Sequence, residues 1–160
     1  MTSADPNVRD AWRAELAAAQ AELVSCLVSG SPAPPGFDPA RLEATATALL
    51  DKRSRYAALA LPRTALHYGD GFSTRFTRWA RTHPLRNSAH AAIDGIRFLG
   101  SRPRRERWSL PADVVIEWIA VEVGTREHPL SIRRSSDGLV IGLRVARNHT
   151  MVRALTSGRT

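Results

Sequence analysis

Cysteine is nearly absent from this chain, and that absence excludes a disulfide scaffold: Cys26 stands alone among 160 residues, so no internal bridge can staple the fold. No charged start followed by an apolar stretch resembles an export signal, and the expected compartment is the cytoplasm. Long hydrophobic runs are also missing. Arg, Asp, Glu or Pro interrupts every apolar stretch before it reaches bilayer length, so no membrane partner is expected. Lysine is almost lacking too, Lys52 being the only one. No Gly-x-Gly-x-x-Gly, phosphate-loop or Gly-x-Ser-x-Gly signature occurs. His67, His83, His90, His128 and His149 form no compact zinc-type ligand set. His90 and Asp94 share a helix face, but a local polar pair is the simpler reading, as a small core residue is for Cys26. Glu15, Glu43, Glu117 and Glu122 are scattered and define no carboxylate pair. Catalysis, metal binding and a cofactor in this chain are therefore not expected.

What is present is enough to fold. The length suits one domain, or one domain with a small appendage, and 43 % hydrophobic residues with Trp12, Trp79, Trp108 and Trp118 argue against wholesale disorder. The net charge of +8 is carried almost entirely by arginine, a planar, bidentate binder of carboxylate and phosphate, which suggests an acidic partner. GC-rich coding, which favours Ala and Arg over Lys, accounts for the same bias equally well.

Helical periodicity dominates as far as Gly124. Asp5-Pro6 supplies an N-cap and a first helical residue, and Trp12, Leu16, Ala19, Leu23 and Cys26 or Leu27 then form one stripe. The proline-rich Gly30 to Gly36 segment ends that helix, and Phe37 anchors the next segment. Asp38-Pro39 repeats the start, with Leu42, Ala46, Leu49, Arg53 and Tyr56 on one face up to the break at Pro62. Phe72, Phe76, Trp79 and Ala80 make a third stripe, and Ala92, Ile96 and Leu99, capped by Ser88, a fourth. The arginine-rich stretch from Ser101 to Arg107 reads as an exposed connector. Pro111 to Val123 is apolar nearly all round and suits a fifth helix or a buried strand, with helix preferred because Leu110-Pro111 resembles another helix start.

Beyond Gly124 the period changes to two. Leu130 and Ile132 alternate with polar neighbours, Ser135 to Gly138 supplies turn chemistry, and Leu139, Ile141, Leu143 and Val145 alternate again. Folding about Asp137-Gly138 sets Ile132 opposite Leu143 and Leu130 opposite Val145, all on one face. Thr150 to Leu155 offers a third strand. The expected fold is α+β: a helical domain of about four to five helices over residues 1–124, then a two- or three-stranded antiparallel sheet over 125–160 packed on it.

Pro35-Gly36-Phe37-Asp38-Pro39-Ala40-Arg41-Leu42, leading to Ala48-Leu49-Leu50-Asp51-Lys52-Arg53, resembles a recurrent actinobacterial pattern, and Phe76-Thr77-Arg78-Trp79-Ala80-Arg81-Thr82-His83-Pro84 fits the same pattern. It is similar to the partner proteins, sometimes fused, of the multinuclear non-haem iron-dependent oxidases that modify ribosomally made peptides, the methanobactin pathway partner among them. The similarity runs roughly from Leu23 to Leu99. It implies a non-catalytic subunit that docks on the iron enzyme and captures the leader of a precursor peptide, with iron held by the enzyme.

An open sheet edge suits that role, because its unpaired N–H and C=O groups accept an extended peptide by strand addition. Four or five backbone hydrogen bonds, at about 0.5–1.5 kcal/mol net each, give only a few kcal/mol. Micromolar affinity needs about 8 kcal/mol, so side chains must add the rest. Candidate peptide-binding residues are Leu130, Ile132, Arg133, Arg134, Leu139, Ile141, Arg144 and Arg147. The apolar members are read first as core contacts whose backbone forms the site. Arg102, Arg104, Arg105 and Arg107 are candidates for enzyme docking, against the plainer reading of a solvated linker. Nucleic acid is not the expected partner, although Arg75, Arg78 and Arg81 form a basic helix edge that a regulator could use. A structural adaptor is the third reading.

Overall fold

The computed structural model describes residues 6–85, 91–125, 129–146 and 149–156. Along these residues the order is α1 (Pro6–Ser29), α2 (Pro39–Ala60), α3 (Pro62–Tyr68), α4 (Gly71–Arg81), α5 (Ala91–Gly100), α6 (Arg104–Trp108), α7 (Ala112–Thr125), β1 (Leu130–Ser135), β2 (Gly138–Ala146) and β3 (His149–Thr156). The plan of helices followed by a small antiparallel sheet holds, but the described residues contain seven helices rather than four to five. The two extra helices are short and start at prolines. Pro62 restarts the chain as the first residue of α3, and Glu117 of α7 replaces a local cap by accepting the N–H groups of Arg63 and Thr64 at 2.9 and 2.8 Å. Pro103 precedes α6, so the expected connector is a helical turn.

α1 forms as expected, but its stripe is not a core stripe. Trp12 and Leu16 are 73 % and 60 % exposed, and burial is confined to the C-terminal end at Cys26, with Leu23, Leu27 and Val28 partly covered. The expected cap Asp5 and the cap Ser88 before α5 lie outside the described residues. Asp38 does cap α2, its Oδ1 accepting the N–H of Ala40 at 2.9 Å. The face that α2 buries runs through Leu50, Ser54 and Ala57 to Leu61, displaced from the expected one, so Leu49 and Tyr56 are exposed.

The aromatic stripe of α4 is core throughout: Phe72, Phe76, Trp79 and Ala80 are buried, and Phe98 of α5 packs against the three rings. Arg53 ties three helices together. It pairs with the buried Asp94 of α5 and donates to the carbonyls of Ala80 and His83 at 3.1 and 2.7 Å, closing the C-terminal end of α4. Asp94 is thus an ion-pair partner of Arg53, while His90 lies outside the described residues.

α7 is the central layer, packing on α3 and α5 and across all three strands. The sheet order is β1-β2-β3, antiparallel throughout. Ser135 pairs with Gly138, so the turn residues are Ser136 and Asp137. The register therefore differs from expectation: Ile132 faces Ile141 and Leu130 faces Leu143. The hairpin tip is tied to the start of α7, Ser136 N donating to Leu110 O at 2.8 Å and Asp137 Oδ2 accepting from Ala112 N at 3.1 Å.

The two faces of the sheet are the reverse of the expected ones. Val140 and Gly142 of β2 lie against α7, so closely that a Cβ on Gly142 would stand 2.1 Å from Ile119 Cγ2. Ser131, Arg133 and Ser135 of β1 share this inner face. Leu130, Ile132, Leu139 and Leu143, read first as core, lie on the outer face and are exposed, with Ile141 partly exposed among them. A helix needs small residues to approach a sheet this closely, and the small residues occupy the other set of alternate positions.

Candidate functional site

The outer strand β1 is an open edge with a defined polarity. Arg144 N donates to Pro129 O at 2.7 Å, which makes this a hydrogen-bonded pair. Alternation along the ladder turns the backbone groups of Ser131, Arg133 and Ser135 toward β2 and those of Leu130, Ile132 and Arg134 away from it. The same three residues point their side chains onto the outer face, Leu130 and Ile132 being 53 % and 57 % exposed. Met151 and Leu155 of β3 extend this face, Met151 opposite Leu143 and Leu155 opposite Leu139. The result is a largely apolar face, interrupted by exposed Arg153 opposite Ile141, next to an edge whose outward backbone groups have no backbone partner among the described residues.

A concavity of about 160 Å³ adjoins the edge, walled by Trp108, Trp118, Ile132 and the three arginines Arg107, Arg133 and Arg134. Its arginines are not equivalent. Arg133 points inward, where Nε and Nη2 grip the Glu122 carboxylate at 2.8–3.0 Å and the guanidinium stands 3.8 Å over the Trp118 ring. Arg134 is exposed, 5.4 Å over Trp108, and pairs with no carboxylate among the described residues. Arg107 comes from α6, so the structure joins one member of the expected docking cluster to the expected peptide set.

The other predicted residues divide. Arg102 is half-buried over Phe98 at 4.6 Å and belongs to the packing, Arg104 lies over Trp108 at 4.5 Å on the surface, and Arg105 is exposed. Arg144 is partly buried on the inner face of the sheet. Arg147 lies outside the described residues. Sequence reasoning missed Trp108, Trp118, Met151 and Leu155. The apolar alternation of Met151 with Leu155 was a usable signal, while the convergence of two distant tryptophans on β1 was not.

Tyr68 serves the fold. Tyr68 is partly buried and donates to Glu106 Oε1 at 3.0 Å, so desolvation first, and that hydrogen bond second, push its hydroxyl well above the ordinary tyrosine range. Among the described residues no three His, Cys, Asp or Glu side chains gather as metal ligands, and no helix is long and apolar enough to cross a membrane.

Residues 17–101, covering the second half of α1 and all of α2 to α5, match the family described as SCO6045-like, C-terminal domain. The chain belongs to that family. A UPF0276 protein of Streptomyces avermitilis is similar to this SCO6045-like chain, with 39 % identity over 84 residues. That match covers 52 % of this chain and only 16 % of the relative. No solved structure matches the chain significantly.

Proposed function

We propose that the chain is a non-catalytic partner subunit that binds the leader segment of a ribosomally made precursor peptide by strand addition at β1 and presents it to an iron-dependent oxidase. The observation that carries this reading is the open β1 edge: backbone groups of Leu130, Ile132 and Arg134 face outward beside a concavity walled by Trp108 and Arg107. An added strand gains backbone bonds from the edge, and one of its side chains reaches the concavity. Arg107 and Arg134 favour an acidic residue there. The exposed apolar face gives further side-chain contact, which the affinity arithmetic requires. The matched segment is a small part of a much longer relative, which supports an accessory role beside a larger body. In that role iron and catalysis belong to the partner enzyme.

Nucleic-acid binding is the weaker alternative. The basic edge of α4 is partly used within the fold, since Arg81 pairs with Glu43 at 3.5 Å and Arg75 lies 5.6 Å over Tyr68. The test is native mass spectrometry with metal analysis on the tagged chain purified from its host. An iron-containing enzyme or a small precursor peptide in the complex supports the reading, and nuclease-sensitive nucleic acid in their place overturns it. With the peptide identified, Ile132→Pro removes an outward N–H together with the Ile132 side chain and no ladder bond to β2, a change that edge strands tolerate. Peptide affinity is expected to fall at least tenfold with folding retained, and unchanged affinity would exclude β1 as the edge.

A further inference from the structure

A second basic concavity lies on the helical body. It is a groove of about 770 Å³ between α4 and the end of α5, lined by Arg75, Arg78, Trp79, His83 and Arg102 together with the small polar residues Thr74, Thr82 and Ser101. A neighbouring hollow shares Trp79, Thr82, His83 and Ser101 with it and adds Arg97. The lining of the larger groove contains no acidic residue. The one carboxylate of the neighbouring hollow, Asp94, is already held by Arg53. Glu106, near Arg102, accepts from Tyr68 and does not line the groove. Arg78 and Arg97 have neither an ion pair nor a hydrogen bond through their side chains among the described residues.

Like charges gathered without counter-charges raise one another's energy, and a bound anion relieves that cost. A second observation is independent of charge. Trp79, which lines both hollows, is 7 % exposed and its indole Nε1–H is buried with no acceptor among the described residues. A buried donor without an acceptor is unfavourable, so the wall of the groove holds a polar group that the described residues leave unsatisfied. The geometry points to a binding site for a phosphate-bearing small molecule. Arg75 and Arg78 of α4 and Arg102, just past α5, line one space, Arg75 and Arg102 also lying over the Tyr68 and Phe98 rings, and three arginines match more acceptor oxygens and more charge than one carboxylate offers. A phosphoryl group brings three strong acceptor oxygens and close to two negative charges. The groove is concave and of small-ligand size, which favours a free phosphorylated molecule over a duplex lying on the surface. It is built from α4 and α5, whereas the peptide-binding proposal rests on the sheet, so each stands or falls alone.

The test is titration of the full chain with pyrophosphate, using citrate as a carboxylate control at matched ionic strength, followed by amide chemical-shift mapping. One-to-one binding of pyrophosphate at least tenfold tighter than citrate, with shifts centred on residues 71–83 and 97–102, is expected. Arg78→Ala, at an exposed position without partners, should weaken pyrophosphate at least fivefold and leave thermal unfolding unchanged. Arg75→Ala with Arg78→Ala should weaken it further. Equal binding of citrate and pyrophosphate, shifts spread over the surface, or an unaffected Arg78→Ala variant would each overturn the assignment. So would binding of a duplex oligonucleotide that pyrophosphate does not displace.

Discussion

Arg133 and Arg134 are neighbours of identical chemistry on opposite faces of one strand, and the structure predicts opposite results for their replacement. Arg133 makes three contacts of 2.8–3.0 Å to the Glu122 carboxylate and covers Trp118, and Ser131 Oγ donates to the same carboxylate at 2.8 Å. The side chains are 26 % and 11 % exposed, so the pair is mostly buried. Removing one member of a buried pair costs about 3–5 kcal/mol, partial solvent access and the other partners that Glu122 keeps lower that, and the lost cation–π contact adds about 1 kcal/mol, giving about 3 kcal/mol for Arg133→Ala. In a chain of this size that lowers Tm by roughly 6–12 °C. Arg134→Ala removes an exposed side chain and should stay within about 0.5 kcal/mol. Urea unfolding followed by tryptophan fluorescence reads both. Arg133→Met combined with Glu122→Met removes both charges together and should recover at least half of the loss. An Arg133→Ala variant as stable as the parent would refute the inward placement of that side chain and, with it, the assignment of the two sheet faces.

Three further outcomes follow from the packing. Gly142→Ala puts a methyl group into Ile119 and is expected to cost about 1–3 kcal/mol, since a β-branched side chain has little room to turn away; in urea unfolding the double variant with Ile119→Ala should lose less than the sum of the two single losses. Asp94→Ala leaves Arg53 without its buried partner and should cost about 3–5 kcal/mol, read by thermal unfolding. Because folding raises the Tyr68 pKa, its contribution is intact below the unfolded tyrosine value of about 10 and erodes as pH rises above it. Tyr68→Phe should therefore flatten the alkaline loss of stability between about pH 9 and pH 12, and an unchanged alkaline slope would count against that burial.

The helices were legible where periodicity and caps agreed. Asp38-Pro39 gave the start of α2, and the aromatic spacing from Phe72 to Ala80 gave α4 and its buried face. Pro62 and Pro103 misled, because a proline that ends one helix also suits the first turn of the next; α3 further depends on Glu117, distant in sequence, to satisfy its first N–H groups. α1 misled in another way. Its stripe through Trp12 and Leu16 is real, but periodicity identifies an apolar face without identifying what covers it.

The same distinction decides the sheet, where the candidate site lies. Alternation correctly gathered Leu130, Ile132, Leu139, Ile141 and Leu143 on one face, and even the mistaken turn centre preserved the grouping, because moving the centre by one residue shifts the pairing by two. What alternation cannot supply is which face meets the helix. That information sits in the opposite set, Ser131, Ser135, Val140 and Gly142, whose small size permits α7 to approach until Gly142 has no room for a Cβ. A glycine inside a strand otherwise rich in Leu, Val and Ile is costly unless close approach requires it. Gly142 therefore marks the buried face, and the alternate apolar residues beside it mark the one turned away from α7.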